Sequence, residues 1–281
     1  MKIGVQAHYI LHDVEKGASD MRLYGYKYCD YRDFMYEKFG LYDLSEQELF
    51  DKVKRDREVL NKAGITVNQI HGLWLYPARD SNEEELREKH RRHSLGIRAA
   101  AMLGAKYYVV HPFMPYGANS GENPERVLEI NRKMLTALAD LGEKYGVIIC
   151  LENMPFRIFP LSSVRDITDF VNKTSHPHLK VCLDTGHAQI TGEDPGDAAR
   201  YIGKDLLAAL HVHDNFGEKD EHNVPGNGII DWDGFVKALV DIGYDGVFSL
   251  ETAIWDRLEP DERLRRELEI YDSAYRLVGN I

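Results

Sequence analysis

The run Lys180-Val181-Cys182-Leu183 ends in Asp184, and His187 follows three residues on. A buried strand has no reason of its own to finish in a carboxylate, because an unpaired charge away from water is costly. A divalent cation removes that cost by pairing with the acid, and a neutral imidazole can join it. The plainer alternative is that Asp184 caps a helix. The pattern recurs, however. Glu152 closes Ile149-Cys150-Leu151, Glu251 closes Phe248-Ser249-Leu250, and His71 and His111 close β-branched or aromatic runs. His211 and His213 are two apart, which puts both on one side of a strand. Asp220 and His222 stand in D-x-H spacing before Pro225, Gly226 and Gly228, a loop whose simpler reading is a turn. Singly, each acid could be a rim salt bridge and each histidine a satisfied core residue. Together, oxygen and nitrogen donors at successive strand ends suit a divalent ion such as Mn²⁺, Mg²⁺, Co²⁺ or Zn²⁺.

Elements that could bring these ends together follow from periodicity. Strands are expected at Met1 to Ala7, Tyr28 to Tyr31, Ile65 to His71, Tyr107 to His111, Val147 to Glu152, Leu179 to Asp184, Leu206 to His213 and Gly246 to Glu251. Helices are expected at Glu46 to Lys62, from Ser81 to near Leu103, and at Pro124 to Tyr145, Ser162 to Lys173, Pro195 to Ile202, Asp233 to Ile242 and Pro260 to Val278. The Tyr-rich stretch before Tyr28 has no clear period. Eight strands alternating with helices imply parallel strands joined by right-handed crossovers, and the count favours a closed (β/α)₈ barrel. With no linker-like stretch, residues 1–281 read as one domain. In such a barrel chemistry sits at the C-terminal ends of the strands, where these donors fall.

Composition narrows the class. The chain has 281 residues, 43% hydrophobic and 29% charged, and no apolar run long enough to span a membrane. The N-terminal residues read as a strand without signal-peptide layout, and Cys29, Cys150 and Cys182 show no CxxC spacing; a cytoplasmic protein is expected. A balance of 35 Lys and Arg against 46 Asp and Glu, a formal charge of −11, argues against nucleic acid as partner.

His71-Gly72, His111-Pro112, Leu151-Glu152-Asn153, Leu183-Asp184-Thr185-Gly186-His187, His211-x-x-Asp214-Asn215, Asp220-x-His222 with Pro225-Gly226-x-Gly228, and Leu250-Glu251 resemble the motifs of the xylose isomerase-like TIM barrel superfamily. It includes sugar isomerases and epimerases, inosose dehydratases and endonuclease IV. Resemblance to the ketose 3-epimerase-like members implies one divalent ion on Glu152, Asp184, His211 and Glu251, with the two glutamates exchanging protons with a ketose through an enediolate. It implies substrate contact at His187. His213 would also orient hydroxyls, and Trp74, Phe156 and Trp255 are candidate pocket walls. Arg157 is a nearby cation for a substrate phosphate or, as readily, a surface salt bridge. The expected partner is a small sugar or polyol, and relatives suggest a homo-oligomer. Resemblance to endonuclease IV implies instead a three-zinc phosphodiesterase, with His71, His111, His187, Asp220 and His222 as further ligands. A dehydratase acting on a polyol is the remaining enzymatic alternative.

Overall fold

The computed structural model describes residues 1–6, 13–74, 81–113, 123–252 and 259–281. Its strands are β1 Lys2–Gln6, β2 Tyr28–Tyr31, β3 Thr66–His71, β4 Tyr107–Val110, β5 Ile148–Glu152, β6 Leu179–Asp184, β7 Leu207–His211 and β8 Val247–Leu250. They pair in parallel in the order β7-β6-β5-β4-β3-β2-β1-β8. The two ends of that order meet where Val212 bridges Leu250. There Val212 N donates to Ser249 O at 2.9 Å and Glu251 N to Val212 O at 3.0 Å. The result is the (β/α)₈ barrel that the alternation predicts.

The helices are α1 Val14–Tyr24, α2 Glu46–Ala63, α3 Glu83–Leu103, α4 Pro124–Tyr145, α5 Val164–Thr174, α6 Thr185–Thr191, α7 Pro195–Ile202, α8 Trp232–Asp241 and α9 Pro260–Val278. Local chemistry sets their ends. Ser45 and Glu48 form a reciprocal capping box on α2, and Asn82 and Glu85 form another on α3. Gly64 closes α2 with a left-handed φ of 73°, a conformation that glycine adopts at little cost.

Three elements depart from the sequence expectation. Helix α1 buries Gly17, Ala18, Met21 and Tyr24, and with two of the four so small the hydrophobic period is weak. Strand β7 stops at His211, so His213 lies beyond its end. Helix α6 starts directly after Asp184, whose Oδ1 accepts from His187 N at 2.6 Å. Asp184 is therefore a helix cap as well as a rim acid.

The barrel interior explains why polar side chains converge. Val109, Cys150, Cys182 and Ala209, all fully buried, form a cluster of their own. Side chains alternate across a strand, so the next residues on the same face are His111, Glu152, Asp184 and His211. The floor is small and apolar, and the layer above it is polar. The three cysteines are buried and unbridged, and burial pushes the Cys182 thiol up to about 12. Among the described residues no helix is long and apolar enough to cross a membrane.

Candidate functional site

Glu152, Asp184, His211 and Glu251 each place one ligating atom within 4.8 Å of the other three, and all four residues are buried. His211 Nδ1 stands 3.0 Å from Glu152 Oε1 and 3.0 Å from Glu251 Oε2. His111 Nε2 lies 3.1 Å and His71 Nε2 3.7 Å from Glu152 Oε2. Yet Glu152 Oε2 and His211 Nδ1 have no directed hydrogen bond. Three carboxylates with one imidazole, buried with bonding capacity unspent, fit a hard or borderline divalent cation.

The electrostatics agree. Burial opposes ionisation of Glu152, but His211 and His111 outweigh it and hold the carboxyl well below its usual range. Burial pulls His211 down, yet Cys182, Glu152, Glu251 and the bond to Asp30 raise it well above an ordinary histidine. His71 goes the other way, lowered by burial and by His111. Its Nδ1 donates to Gly72 O at 2.9 Å, leaving the Nε2 lone pair toward Glu152.

A second group adjoins the first through Asp184. His213 Nε2 is 3.1 Å from Asp184 Oδ2, and Asp220 Oδ2 receives His187 Nε2 at 3.3 Å and His222 Nε2 at 3.2 Å. His187 Nδ1 donates to Asn153 O at 2.8 Å and His222 Nδ1 to Glu251 O at 2.6 Å, so both rings are aimed by backbone carbonyls. Burial disfavours charge on both rings. Asp184 and Asp220 nevertheless raise His187 to about 10, and Asp220 and Glu251 raise His222 to about 9. Asp220 is depressed far below the carboxylate range by the same two rings, against its burial.

The loop that carries Asp220 and His222 is held by Asp214. Its Oδ2 accepts from Gly226 N at 2.9 Å and Trp232 Nε1 at 2.8 Å, and its Oδ1 from Asn215 N at 2.9 Å. A Cβ on Gly228 would stand 2.2 Å from Asp214 Oδ1. The Pro-Gly-x-Gly segment is thus a turn that also delivers donors to the rim.

The proposed pocket walls are less uniform. The Trp74 ring meets Tyr36 edge-on at 5.7 Å, and Phe156 meets Phe159 at 5.2 Å. Arg157 donates to Ile190 O at 2.8 Å and Gly217 O at 3.2 Å. Its guanidinium ties the loop after β5 to helix α6 and to the loop after β7, through carbonyls rather than a salt bridge. Trp255 lies outside the described residues. Sequence reasoning missed Gln6, Asp30, Gln69 and Asn153. Gln6 Nε2 donates to Glu251 Oε1 at 2.6 Å, and Asn153 brackets the Asp184 backbone with bonds of 2.8 and 3.0 Å. The signal that could have found Asp30 is the one used for Asp184, an acid in a strand that is otherwise buried.

Comparison with known proteins agrees with this fold. The family model described as xylose isomerase-like TIM barrel matches residues 22–274. The uncharacterised protein MJ1311 of Methanocaldococcus jannaschii is 31% identical over 210 residues, 69% of each chain. A D-psicose 3-epimerase of Ruminiclostridium cellulolyticum is 36% identical over 128 residues, 45% of this chain and only 40% of that protein. A crystal structure of a D-tagatose 3-epimerase-like protein superposes with a TM-score of 0.73 at 25% identity, covering 98% of this chain and 99% of the other.

Proposed function

The chain belongs to the xylose isomerase-like TIM barrel family, and within it we propose a divalent-metal-dependent isomerase or epimerase acting on a small sugar or keto-polyol. The observation that carries the reading is that Glu152 Oε1 and Glu251 Oε2 each lie 3.0 Å from His211 Nδ1. Two buried carboxylates, at the end of strand β5 and just after β8, then border one small volume. Relatives named as epimerases support the substrate class.

Glu152, Asp184, His211 and Glu251 would hold the ion, which when bound supplies a Lewis acid for a ketose carbonyl and charge stabilisation for the adjacent oxygen. The remaining work falls to side chains. One glutamate takes the proton from the carbon next to the carbonyl, and the C–H electron pair becomes the double bond of an enediolate. The other glutamate returns a proton to that carbon, and return on the opposite face inverts it. On Glu251 the proton belongs on Oε2, because Oε1 already accepts from Gln6. His187 and His213 orient substrate hydroxyls, and Trp74 and Phe156 line the approach.

The second reading is a phosphodiesterase holding several ions. It is favoured by further donor groups: His71–Glu152–His211 and Asp184–His187–His213 share residues with the central one, and His213–Asp220–His222 adjoins it through His213. The test is hydrogen exchange from D₂O into a panel of ketoses. Wild-type protein should incorporate deuterium next to the carbonyl, whereas Glu152→Gln and Glu251→Gln should each lose roughly 10²- to 10⁴-fold in exchange rate while remaining folded. Exchange at the wild-type rate in both variants would defeat the mechanism.

A further inference from the structure

Strands β1, β2 and β3 give no atom to the central four, yet each sends a buried polar side chain behind it. Gln6 supports Glu251, as described. The other two form a chain that ends on His211. Gln69 Nε2 donates to Asp30 Oδ2 at 3.0 Å and also reaches Leu210 O at 3.3 Å. The same Asp30 oxygen lies 2.9 Å from His211 Nε2. Asp30 is fully buried, and the pairing of β2 with β3 slips between Cys29 and Asp30. Such irregularities re-aim a side chain, and here it is aimed inward.

A carboxylate inside a barrel needs donors, and the His211 ring provides one. As a metal ligand His211 must be a neutral imidazole, which carries a single N–H. With that hydrogen on Nε2 and given to Asp30, the Nδ1 lone pair points between Glu152 and Glu251. The opposite tautomer would put a hydrogen there and leave Asp30 facing a lone pair. The His71 ring, stacked parallel to His211 with centroids 5.3 Å apart and planes 6° from coplanar, further limits rotation. Histidines that bind metals are held in this way, by a carboxylate on the nitrogen turned from the ion.

We propose that Asp30 is a positioning residue for the metal centre. It fixes the His211 ring and its Nε2–H tautomer, and Gln69 braces Asp30 from the neighbouring strand. The inference rests on the metal reading of the site.

Co²⁺ alone, titrated into chelator-stripped protein, tests both levels separately, read by its visible absorption and by the binding isotherm. Wild-type protein should bind with a defined visible band. Asp30→Asn should bind about 10- to 100-fold more weakly with an altered band, and Gln69→Leu should lose less in the same direction. Failure of wild-type protein to bind Co²⁺ would overturn the metal reading itself. Binding by wild type with Asp30→Asn unchanged in affinity and spectrum would overturn the role of Asp30 alone. Should Asp30→Asn fail to fold, ¹⁵N NMR of Zn²⁺-loaded wild-type protein decides. A proton on His211 Nε2 is the expected result, and a proton on Nδ1 would defeat the proposal.

Discussion

His211 Nδ1 and Glu152 Oε1 face each other across 3.0 Å, Glu251 Oε2 is equally close to the same nitrogen, and no directed hydrogen bond uses the Nδ1 position. Like charges crowded away from water are tolerated only with compensation. Stability should therefore depend on a divalent ion. Stripping ions with a chelator should lower the melting temperature, and returning them should restore it. A free ion at 100 times its Kd adds about 2.7 kcal/mol, or roughly 5 to 10 °C for a chain of this order of size. A melting curve indifferent to chelator and to added Mn²⁺, Mg²⁺, Co²⁺ and Zn²⁺ would contradict this.

Gly186→Ala should disrupt the site from the helix side. Helix propensity alone would favour alanine in α6 by up to about 1 kcal/mol. A Cβ there, however, would stand 1.9 Å from His213 Cε1 and 2.4 Å from its Nδ1. The ring is fully buried and held to Asp184, so it has nowhere cheap to go. Overpacking costs typically about 1–3 kcal/mol and should win. Urea unfolding should show a net loss, together with weaker substrate binding if His213 touches the substrate. A stabilised Gly186→Ala protein would show that the ring yields easily.

What the sequence disclosed and what it hid have one physical origin. Strand-end acids such as Glu152 and Asp184 stand out because each interrupts an apolar run at a boundary that periodicity already marks. The alternation that buries Cys150 and Cys182 then carries these acids to one rim. Asp30 and Gln69 do not stand out. Strand β2 is four residues long, and nothing in so short a run points to a partner on β7, 181 residues away in the chain. Arg157 misled for a related reason. Its type suggests an anion site, whereas its donors meet backbone carbonyls of helix α6 and of the loop after β7, which come together only in the fold.

Acid should act partly through His93. Its Nδ1 lies 3.1 Å from the Tyr108 hydroxyl and its ring packs on Phe113, and burial, with His90 adding, lowers its pKa to about 3. The unfolded chain takes up this proton near pH 6.5 and the folded chain does not until about pH 3. Stability is therefore lost as pH falls from about 6.5 toward 3, by about 2 kcal/mol at pH 5. His187 and His222, raised instead, add stability that is full below about 6.5 and lost as pH rises through about 9 to 10. Comparing wild type with His93→Gln cancels their contribution. The drop in unfolding free energy between pH 7 and pH 5 should be smaller by about 2 kcal/mol in His93→Gln. Equal drops would mean that His93 takes up its proton in the folded protein.

The number of ions separates the two functional readings, and the geometry says which variant counts them. Asp220 reaches Asp184 by way of His187 and His213, and His222 reaches the Glu251 carbonyl, while Asp214 holds their loop independently of either side chain. Replacing both with alanine removes the outer donors and leaves the fold of the loop in place. If one ion sits on Glu152, Asp184, His211 and Glu251, elemental analysis should find about one ion per chain in both the wild type and the Asp220→Ala, His222→Ala protein. His187 would then lose its Nε2 partner, and the loss should appear as a raised KM for a ketose rather than as a missing ion. Two or three ions per chain, falling in the double variant, would instead make the outer histidines ligands. Phosphodiester cleavage would then displace sugar isomerisation as the better reading of the rim.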